Sequence, residues 1–351
     1  MAAPAVSVRI IVHNRAGTIG AAVRSVLAQS FADFELVVVD DGSTDATAEI
    51  VGAFDDPRLR LVRSSPNQGI PRARTRALAE AQGRYIAWLD SDDVCHPARL
   101  QVQCDYLERT PPVAMIGSAA RKIRADGTLM RTGRMPARSH EAIRALLLFR
   151  SAFQQSSIFG RAEAIKAYPY DLDFPVCEDV DMFVRFTASF RAENLPQFLI
   201  ARRIHADQTI RSNSDRIIER QMEISARQLE VLGVTFDESD LRRHVLLGKG
   251  RHERDGGDLL AWADGWSQTL LAANAKCSVF DQKALRACLE RLIVKFAVGR
   301  LRDRPVKVGG LLRQFAAHPH GALALARESL VPLIPFAAHP PAAGIQAMSR
   351  A

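Results

Sequence analysis

The sequence has few cysteines, and their spacing excludes two common kinds of site. Five cysteines are scattered through 351 residues without a CxxC pair. An odd number of isolated cysteines does not predict a disulfide framework, and a structural zinc site needs closely paired ligands. We therefore expect neither of these, and we expect a protein of the reducing cytoplasm.

Long apolar runs are missing as well. The nearest candidate, residues 329–338, is interrupted by Pro332 and Pro335, and it is shorter than the roughly 18–20 residues that span a bilayer. The first residues, MAAPAVSVRIIVHN, lack the basic start and long apolar stretch of a signal peptide. The sequence therefore predicts a chain that does not cross a membrane.

Basic residues exceed acidic ones only in the C-terminal third. The chain carries 47 basic and 39 acidic residues, a net charge of +8 that is typical of proteins that bind nucleic acid or anionic membranes. Residues 241–351 hold 17 basic and 8 acidic residues, so this segment carries +9 and the first 240 residues carry −1. The basic segment is poor in the Tyr and Trp residues that stack on nucleic-acid bases. We therefore expect no nucleic-acid partner.

Between Val6 and about Ser118, short apolar runs alternate regularly with helical patterns. Such alternation, with runs rich in Val and Ile, is the signature of βαβ units around a mostly parallel sheet. No G-x-G-x-x-G follows the first run, which argues against a dinucleotide-dependent oxidoreductase. The predicted strands are Val6–Val12, Glu35–Val39, Leu59–Val62 and Tyr85–Leu89, and the predicted helices cover 18–29, 43–54 and 72–82.

The rest of the chain changes character at about residue 220. From about Asp215 the apolar periodicity is almost wholly helical. We therefore predict an α/β domain over residues 1–220 and a basic helical region over residues 221–351. Within the first domain, the later predicted elements are a helix at 139–149 and strands at 153–159 and 198–203.

Two of the predicted strands end in clusters of carboxylates. Asp40 and Asp41 follow the second strand, and the segment Asp90-Ser91-Asp92-Asp93 follows the fourth. Ligands of open α/β sheets bind beyond the carboxyl ends of the strands. We therefore expect both clusters to face one crevice.

The first cluster allows two interpretations. Carboxylates at a strand end can accept hydrogen bonds from the imide N–H of a base or from ribose hydroxyls, and Gly42 permits the tight turn that follows. Asp40 and Asp41 can instead cap the next helix and interact with its dipole. Ser43 is predicted to cap that helix, which would extend to about Phe54.

The second cluster places three carboxylates within four residues. Like charges so close together are costly unless a cation or hydrogen-bond donors compensate them. Mg²⁺ and similar ions are commonly held by one or two carboxylates together with substrate phosphates. The cluster is therefore a candidate divalent-metal site, with a solvated acidic turn as the alternative.

Two further elements could carry chemistry. Glu178 and Asp179 lead into an amphipathic segment, where acidic residues are ordinary at a helix start. One of these carboxylates could instead act as a general base toward a hydroxyl group. His205 follows an apolar run and could ligate a metal or contact a diphosphate, although a lone histidine is more often structural or merely exposed.

Taken together, these motifs resemble those of family 2 of the inverting, nucleotide-sugar-dependent glycosyltransferases, which have the GT-A fold. The resemblance covers about Val6 to Gln208, well over half of the chain. The matching segments are the first strand, Asp-Asp-Gly-Ser-Thr-Asp at 40–45, Asn67-Gln68-Gly69 with Arg74, Leu-Asp-Ser-Asp-Asp at 89–93, Glu178-Asp179 and His205.

The resemblance implies a fold and an activity. The fold would be Rossmann-like, with a mostly parallel central sheet flanked by helices, nucleotide-sugar binding in residues 1–118 and an acceptor and catalytic part in residues 119–220. The activity would be that of an inverting hexosyltransferase that depends on Mn²⁺ or Mg²⁺. It would move a sugar from a nucleoside-diphosphate sugar, with uridine as the leading base, to a hydroxyl of a glycan or lipid-linked acceptor in bacterial cell-surface polysaccharide synthesis.

The resemblance also implies a role for each matching residue. Asp92 would coordinate the cation, and His205 would complete the metal–diphosphate end. Asp179 would be the base that activates the acceptor hydroxyl, and Glu178 would help to hold the acceptor. The residues expected to bind the nucleotide sugar are Val12, His13, Asn14, Asp40, Asp41, Asn67, Arg74, Asp90 and Ser91.

Two alternatives stay open at this point. A sugar-1-phosphate nucleotidylyltransferase has a related sheet, but it typically carries a glycine-rich basic loop that residues 11–20 do not supply. A non-enzymatic basic protein that binds nucleic acid or acts as a scaffold is the second alternative. For a glycosyltransferase, we expect the basic helices to cover the acceptor side or to rest on an anionic membrane at the inner face.

Overall fold

The computed structural model describes residues 3–205, 214–250, 259–303, 316–318 and 321. These residues form two compact units. The first unit contains the described residues up to Arg138 and from Phe153 to His205, and the second contains residues 139–152 and the described residues from 214 onward. A division into two domains near residue 220 stays a prediction.

The helices and strands are numbered here in chain order. In the described residues they are β1 Val6–Val12, α1 Ile19–Leu27, β2 Phe34–Asp41, α2 Thr47–Gly52, β3 Leu59–Ser64, α3 Ile70–Ala79, β4 Tyr85–Trp88, β5 Val94–Cys95, α4 Arg99–Arg109, β6 Val113–Ile123, β7 Leu129–Arg134, α5 His140–Leu147, β8 Phe159–Arg161, α6 Ala162–Lys166, α7 Glu178–Ser189, β9 Arg191–Arg203, α8 Ser214–Val231, α9 Glu238–Lys249, α10 Leu259–Cys277 and α11 Gln282–Asp303.

The first unit is built on a mixed β-sheet. β1 pairs in parallel with β2 and β4, and β2 pairs in parallel with β3, so the predicted βαβ units are confirmed. β8 then joins β4 and β6 in antiparallel pairs, and β9 runs parallel to β6. Among the described strands the order is β3-β2-β1-β4-β8-β6-β9-β5, and β7 pairs in an antiparallel direction with the C-terminal end of β6.

The core of the first unit lies between the sheet and its helices. Val8 and Ile10 of β1 belong to the same buried cluster as Ile19 and Val23 of α1. The period of two in the strand and of three to four in the helix places these side chains on facing surfaces. Each fully buried apolar side chain contributes about 1.5–3 kcal/mol, so β1 is firmly held and its carboxyl end is a rigid platform.

The strand predicted at 153–159 is wrong. Residues Gln155–Ser157 form a 3₁₀ turn, and β8 begins only at Phe159. The Ser157 hydroxyl donates to the Gln154 carbonyl at 2.7 Å and accepts from the N–H of Ser118 at 3.0 Å. Such local side-chain bonds compete with a strand ladder, which the apolar pattern of the sequence does not reveal.

The predicted helix cap at Ser43 is also wrong. α2 begins at Thr47, and the Asp45 carboxylate accepts the Thr47 N–H at 3.0 Å. The Ser43 hydroxyl instead accepts the N–H of Asn14, 2.9 Å away. Ser43 therefore links two strand-end loops.

The second unit is helical in its described residues, as the sequence predicts. Ser139 caps α5 by accepting the N–H of Ala142 at 3.2 Å. His244 of α9 is fully buried, where its two ring nitrogens contact the Leu148 carbonyl and the indole N–H of Trp266. Burial lowers the pKa of His244 to about 4, so this side chain is neutral and structural. In the described part of the chain, no helix is both long and apolar enough to span a membrane.

Candidate active site

The predicted site residues around Val12, Asp41 and Asp90 lie near the carboxyl ends of three adjacent parallel strands. Val12 ends β1, Asp41 ends β2, and Asp90 lies two residues beyond the end of β4. β1 lies between the other two strands. Because parallel strands present their carboxyl ends at one edge, the two carboxylate clusters share that edge, as predicted.

Hydrogen bonds join the loop after β1 to the loop after β2. The Asn14 side-chain oxygen accepts the N–H of Thr44 at 2.8 Å. His13 Nδ1 lies 3.0 Å from the Asp41 carbonyl oxygen, to which it can only donate. Asn14 has a φ of 50°, a left-handed conformation that asparagine tolerates better than most residues. These contacts hold the two loops in one arrangement around the proposed base pocket.

Asp40 and Asp41 hold the backbone of neighbouring loops. One Asp40 oxygen accepts the N–H of Ser43 at 3.0 Å, and the other lies 3.4 Å from the Nε of Arg63. Asp41 accepts the N–H groups of Gln68 at 3.0 Å and of Gly69 at 2.8 Å. Neither carboxylate caps α2 directly, and their binding to a base stays a prediction.

Gly42 occupies a position that no other residue fits without strain. Its φ is 73°, and a Cβ built there would lie 2.8 Å from the backbone nitrogen of Asn67. The Asn67 side chain in turn accepts the N–H of Gly69 at 2.9 Å. The close approach of these two loops therefore depends on a glycine between Asp41 and Ser43.

We expect Gly42→Ala to lower the free energy of unfolding by about 1–3 kcal/mol, because it adds both backbone strain and a clash. Gly52→Ala is the matched control. Gly52 ends α2, and a Cβ there would meet nothing within 4 Å. Urea denaturation measures the free energy of unfolding of both variants. Equal values for Gly42→Ala and Gly52→Ala would show that a side chain at position 42 does not strain the turn.

The acidic cluster after β4 is joined to the end of β9. His205 Nε2 lies 2.8 Å from an Asp92 carboxylate oxygen, although the residues are 113 positions apart. Their side chains are 13% and 18% exposed, so the pair is sheltered yet reachable by a ligand. Ser91, half-buried, lies in the turn between Asp90 and Asp92.

A carboxylate and an imidazole fit a divalent cation such as Mn²⁺ as a partial ligand set. In the described ranges, no group of three or more His, Cys, Asp or Glu residues is arranged to hold a metal. Asp92 and His205 would therefore supply two ligands and leave the remaining positions to phosphate oxygens and water, which is the usual arrangement for Mg²⁺.

Arg74 connects the acidic cluster to the start of α7. Its Nε donates to a Glu178 oxygen at 2.8 Å, and its Nη2 lies 3.8 Å from an Asp90 oxygen. The guanidinium lies over the rings of Trp88 at 5.3 Å and Tyr170 at 5.7 Å from their centroids. A cation over two aromatic faces and between two carboxylates is strongly held.

Burial raises the pKa of both carboxylates at the start of α7, and the positive charge of Arg74 opposes this effect. Burial raises the pKa of Glu178 to about 7 despite the opposing charge of Arg74. Burial also raises the pKa of Asp179, against the same opposing charge. Cys177 immediately before them has a φ of 64°. A non-glycine residue in this conformation is strained, and such strain is common at functional sites.

The raised pKa of Glu178 predicts a pH dependence of stability. Between the ordinary value of 4.5 and about 7, the folded protein binds more protons at this group than the unfolded chain does. The free energy of unfolding therefore falls as the pH rises through that window, with a slope of at most about 1.4 kcal/mol per pH unit for one group.

Glu178→Gln should remove this contribution and flatten the curve between pH 4.5 and 7. Glu163→Gln, at an exposed position on α6, is the control and should leave the slope unchanged. Urea unfolding at several pH values measures both variants. Parallel curves for the wild type and Glu178→Gln would contradict a buried carboxyl that titrates near neutral pH.

Several residues beside the site have contacts that the sequence does not indicate. Tyr170 contacts Arg74, and Ser156 and Asp93 form a buried hydrogen bond beside Asp92. Arg203 donates to the Asp92 carbonyl oxygen at 2.9 Å. The available signal was position in the sequence, because Asp93 ends the acidic cluster and Arg203, the last residue of β9, precedes His205 by two residues.

Comparison with known proteins identifies related chains. The family described as glycosyl transferase family 2 matches residues 7–168. EpsE of Bacillus subtilis, which is named as a glycosyltransferase, is 30% identical over 212 residues, covering 58% of this chain and 74% of that protein. WfaP of Escherichia coli, named UDP-Glc:α-D-GlcNAc-diphosphoundecaprenol β-1,3-glucosyltransferase, is 38% identical over 103 residues, covering 29% of this chain and 41% of that protein.

Solved structures of TarS share the fold over most of the chain. TarS residues 1–349 of S. aureus, in complex with UDP-GlcNAc, has a TM-score of 0.54 at 18% identity and covers 85% of this chain and 88% of that one. The chain spans only 27–28% of the length of three further curated relatives. The activities of those whole proteins therefore do not transfer to it directly.

Proposed function

Because the chain belongs to glycosyltransferase family 2, we propose that it transfers a sugar from a nucleoside-diphosphate sugar to a hydroxyl acceptor, with inversion at the anomeric carbon. The family and the GT-A fold predicted from sequence are both confirmed. The donor, the acceptor, the stereochemistry and the metal dependence are the parts proposed here.

The observation that carries this proposal is one connected network at the strand ends. Asp41 accepts the N–H of Gly69, the residue that precedes α3, and Arg74 of α3 pairs with Glu178 and approaches Asp90. The proposed nucleotide pocket is therefore linked to the acidic cluster and to the helix that carries Asp179. Such a network positions a donor and a base relative to one another.

Asp179 is the proposed base, because Glu178 is already engaged by Arg74. The raised pKa of Asp179 makes its carboxylate a better proton acceptor than an exposed aspartate. The acceptor oxygen forms a bond to the anomeric carbon while the bond from that carbon to the diphosphate oxygen breaks. The hydroxyl proton passes to Asp179, and the nucleoside diphosphate leaves with the electron pair of the broken bond.

Asp92 and His205 would hold Mn²⁺ or Mg²⁺ at the diphosphate. When bound, the cation supplies Lewis-acid stabilisation of the leaving diphosphate. Asp90 and Ser91 would contact the ribose and diphosphate, and Glu178 would help to hold the acceptor. The pairing of Asp92 with His205 supports this assignment, because both side chains converge on one point.

The proposed donor is a UDP-sugar, so the base bound would be uracil. The TarS structure contains UDP-GlcNAc, and WfaP is named for UDP-Glc. Val12, His13, Asn14 and Asp41 would line the base pocket, with Asp40 and Asn67 supporting it. The imidazole of His13 provides a flat surface on which a base can stack.

A thermal-shift panel with UDP, GDP, dTDP and CDP, each with and without Mn²⁺ or Mg²⁺, tests the donor class. We expect the largest stabilisation with UDP and a further increase when the cation is present, because a ligand that binds only the folded state raises its stability. A larger shift with another nucleotide would correct the base. No shift with any nucleotide would contradict a nucleotide-sugar enzyme.

The acceptor is proposed to be a glycan or lipid-linked hydroxyl in bacterial cell-surface polysaccharide synthesis. WfaP is named for a diphosphoundecaprenol acceptor, and the +9 charge of residues 241–351 suits an anionic membrane surface. Phe296, in an apolar run of this segment, is buried and does not contribute to such a surface. Flotation with anionic liposomes at low salt tests membrane contact, and an unbound protein would contradict it.

A further inference from the structure

Arg203 makes an unusual set of contacts next to the proposed metal ligands. Its Nε donates to the Asp92 carbonyl oxygen at 2.9 Å, and its Nη1 donates to the Ala125 carbonyl at 2.8 Å. Its backbone N–H donates to an Asp93 carboxylate oxygen, also at 2.9 Å. The side chain is almost fully buried. One residue therefore joins the acidic cluster, the turn between β6 and β7, and the end of β9.

Asp93 and Ser156 complete this arrangement from the other side. The Ser156 hydroxyl donates to the second Asp93 oxygen at 2.5 Å and lies 3.3 Å from the backbone N–H of Asp90, whose hydrogen it accepts. The segments before and after Asp92 are thus both fixed by buried hydrogen bonds. We call Asp93, Ser156 and Arg203 the clasp.

The clasp acts on both proposed metal ligands. The Arg203 side chain holds Asp92 by donating to its carbonyl oxygen. The Asp93 carboxylate accepts the backbone N–H of Arg203, and this bond fixes the chain two residues before His205. The N–H of Ile204 donates to the Ile123 carbonyl at 2.9 Å, so the backbone between Arg203 and His205 is also fixed. Asp92 and His205 then lie within hydrogen-bond distance of one another, with His205 Nε2 2.8 Å from an Asp92 carboxylate oxygen.

We propose that Arg203 is a positioning residue for the metal–diphosphate end of the site, and that it acts with Asp93 and Ser156 to set the distance between Asp92 and His205. This inference rests on the proposed function. Groups that orient metal ligands without touching the metal commonly change its affinity 10–100-fold when they are replaced. A planar guanidinium can bond two carbonyl oxygens at once, whereas a lysine ammonium lacks this fixed fork.

The test measures Mn²⁺ affinity in the presence of UDP, from the EPR signal of free Mn²⁺, with the full-length protein. We expect Arg203→Gln to weaken Mn²⁺ binding by about 10–100-fold. Metal-free UDP binding should stay unchanged, because the base pocket lies in the loops around Asp41. Arg202→Gln is the matched control: it removes the same charge one residue earlier, on the opposite face of the strand, and should bind Mn²⁺ like the wild type.

Arg203→Lys tests whether the charge of Arg203 or the geometry of its guanidinium matters. It also replaces Arg203→Gln as the test variant if Arg203→Gln does not fold. It keeps the positive charge but loses the fork, so we expect most of the affinity loss to remain. Mn²⁺ affinity equal to that of the wild type in Arg203→Lys, or equal losses in Arg203→Gln and Arg202→Gln, would overturn the clasp. If the wild-type protein itself does not bind Mn²⁺ with UDP, the proposed metal site fails and the clasp proposal fails with it.

Discussion

Asp179→Asn is expected to reduce the rate of sugar transfer by about 10²–10⁴-fold, the range that general acid–base catalysis supplies. The amide has nearly the same shape as the carboxylate, so the start of α7 should keep its fold. It cannot take a proton from the acceptor hydroxyl. Donor affinity should be unchanged, since the proposed nucleotide contacts lie in the strand-end loops. Steady-state kinetics with UDP-sugar, together with a thermal shift by UDP, separates the two effects.

Asp181→Asn is the control for this variant. Asp181 lies on the same helix two residues later, where it pairs with Arg185 at 2.8 Å and takes no part in the proposed chemistry. It should retain the wild-type rate. If Asp179→Asn also transferred sugar at the wild-type rate, the assignment of the base would be wrong, and Glu178 would become the candidate despite its pairing with Arg74.

The parts of the fold and site that contiguous residues encode could be predicted from sequence. The short apolar run of β1, which is almost wholly buried, and the three-to-four spacing in α1 specify a strand and a helix that pack together. The carboxylates at the ends of β2 and β4 were placed at one edge by the rule for parallel strands. The meeting of Asp92 with His205 was expected only from the family resemblance, because no local pattern relates residues 113 positions apart.

The parts that were missed depend on contacts between distant segments. Asp93 accepts a hydrogen bond from a residue 110 positions later, and Arg74 pairs with a residue 104 positions later. Tyr170 lies in an irregular segment with no periodic neighbours, so only the folded chain shows that its ring faces Arg74. The turn at Gln155–Ser157 was misassigned as a strand because its stabilising bonds come from side chains rather than from an apolar pattern.

Several long-range contacts involve the acidic cluster after β4. Arg74, Ser156 and Arg203 each bring a polar group from a remote segment to the acidic cluster after β4. Three carboxylates within four residues repel one another, so donors from elsewhere are needed to hold them in place. Asp93 accepts hydrogen bonds from Ser156 and from the backbone N–H of Arg203, and Asp90 lies 3.8 Å from Arg74. Asp92, which lies beside His205, is the carboxylate that we propose as a ligand of the cation.

Asp92→Asn is therefore expected to reduce sugar transfer by more than about 100-fold. Replacing a residue that only hydrogen-bonds to a metal ligand commonly costs 10–100-fold, and the loss of a direct ligand should cost more. The amide oxygen can still accept a hydrogen bond from His205, so the local fold should persist. What is lost is the charge that attracts the cation. In thermal-shift measurements, UDP alone should stabilise the variant as it does the wild type, while the additional stabilisation by Mn²⁺ should disappear.

Asp55→Asn is the control for the loss of one negative charge, since Asp55 is exposed after α2 and apart from the strand ends. It should keep both the transfer rate and the Mn²⁺-dependent shift. Raising the Mn²⁺ concentration should restore part of the activity of Asp92→Asn, because His205 and the diphosphate still offer ligands. A variant that transfers sugar normally at low Mn²⁺ would show that Asp92 does not hold the cation, and Asp90 would then be the residue to examine.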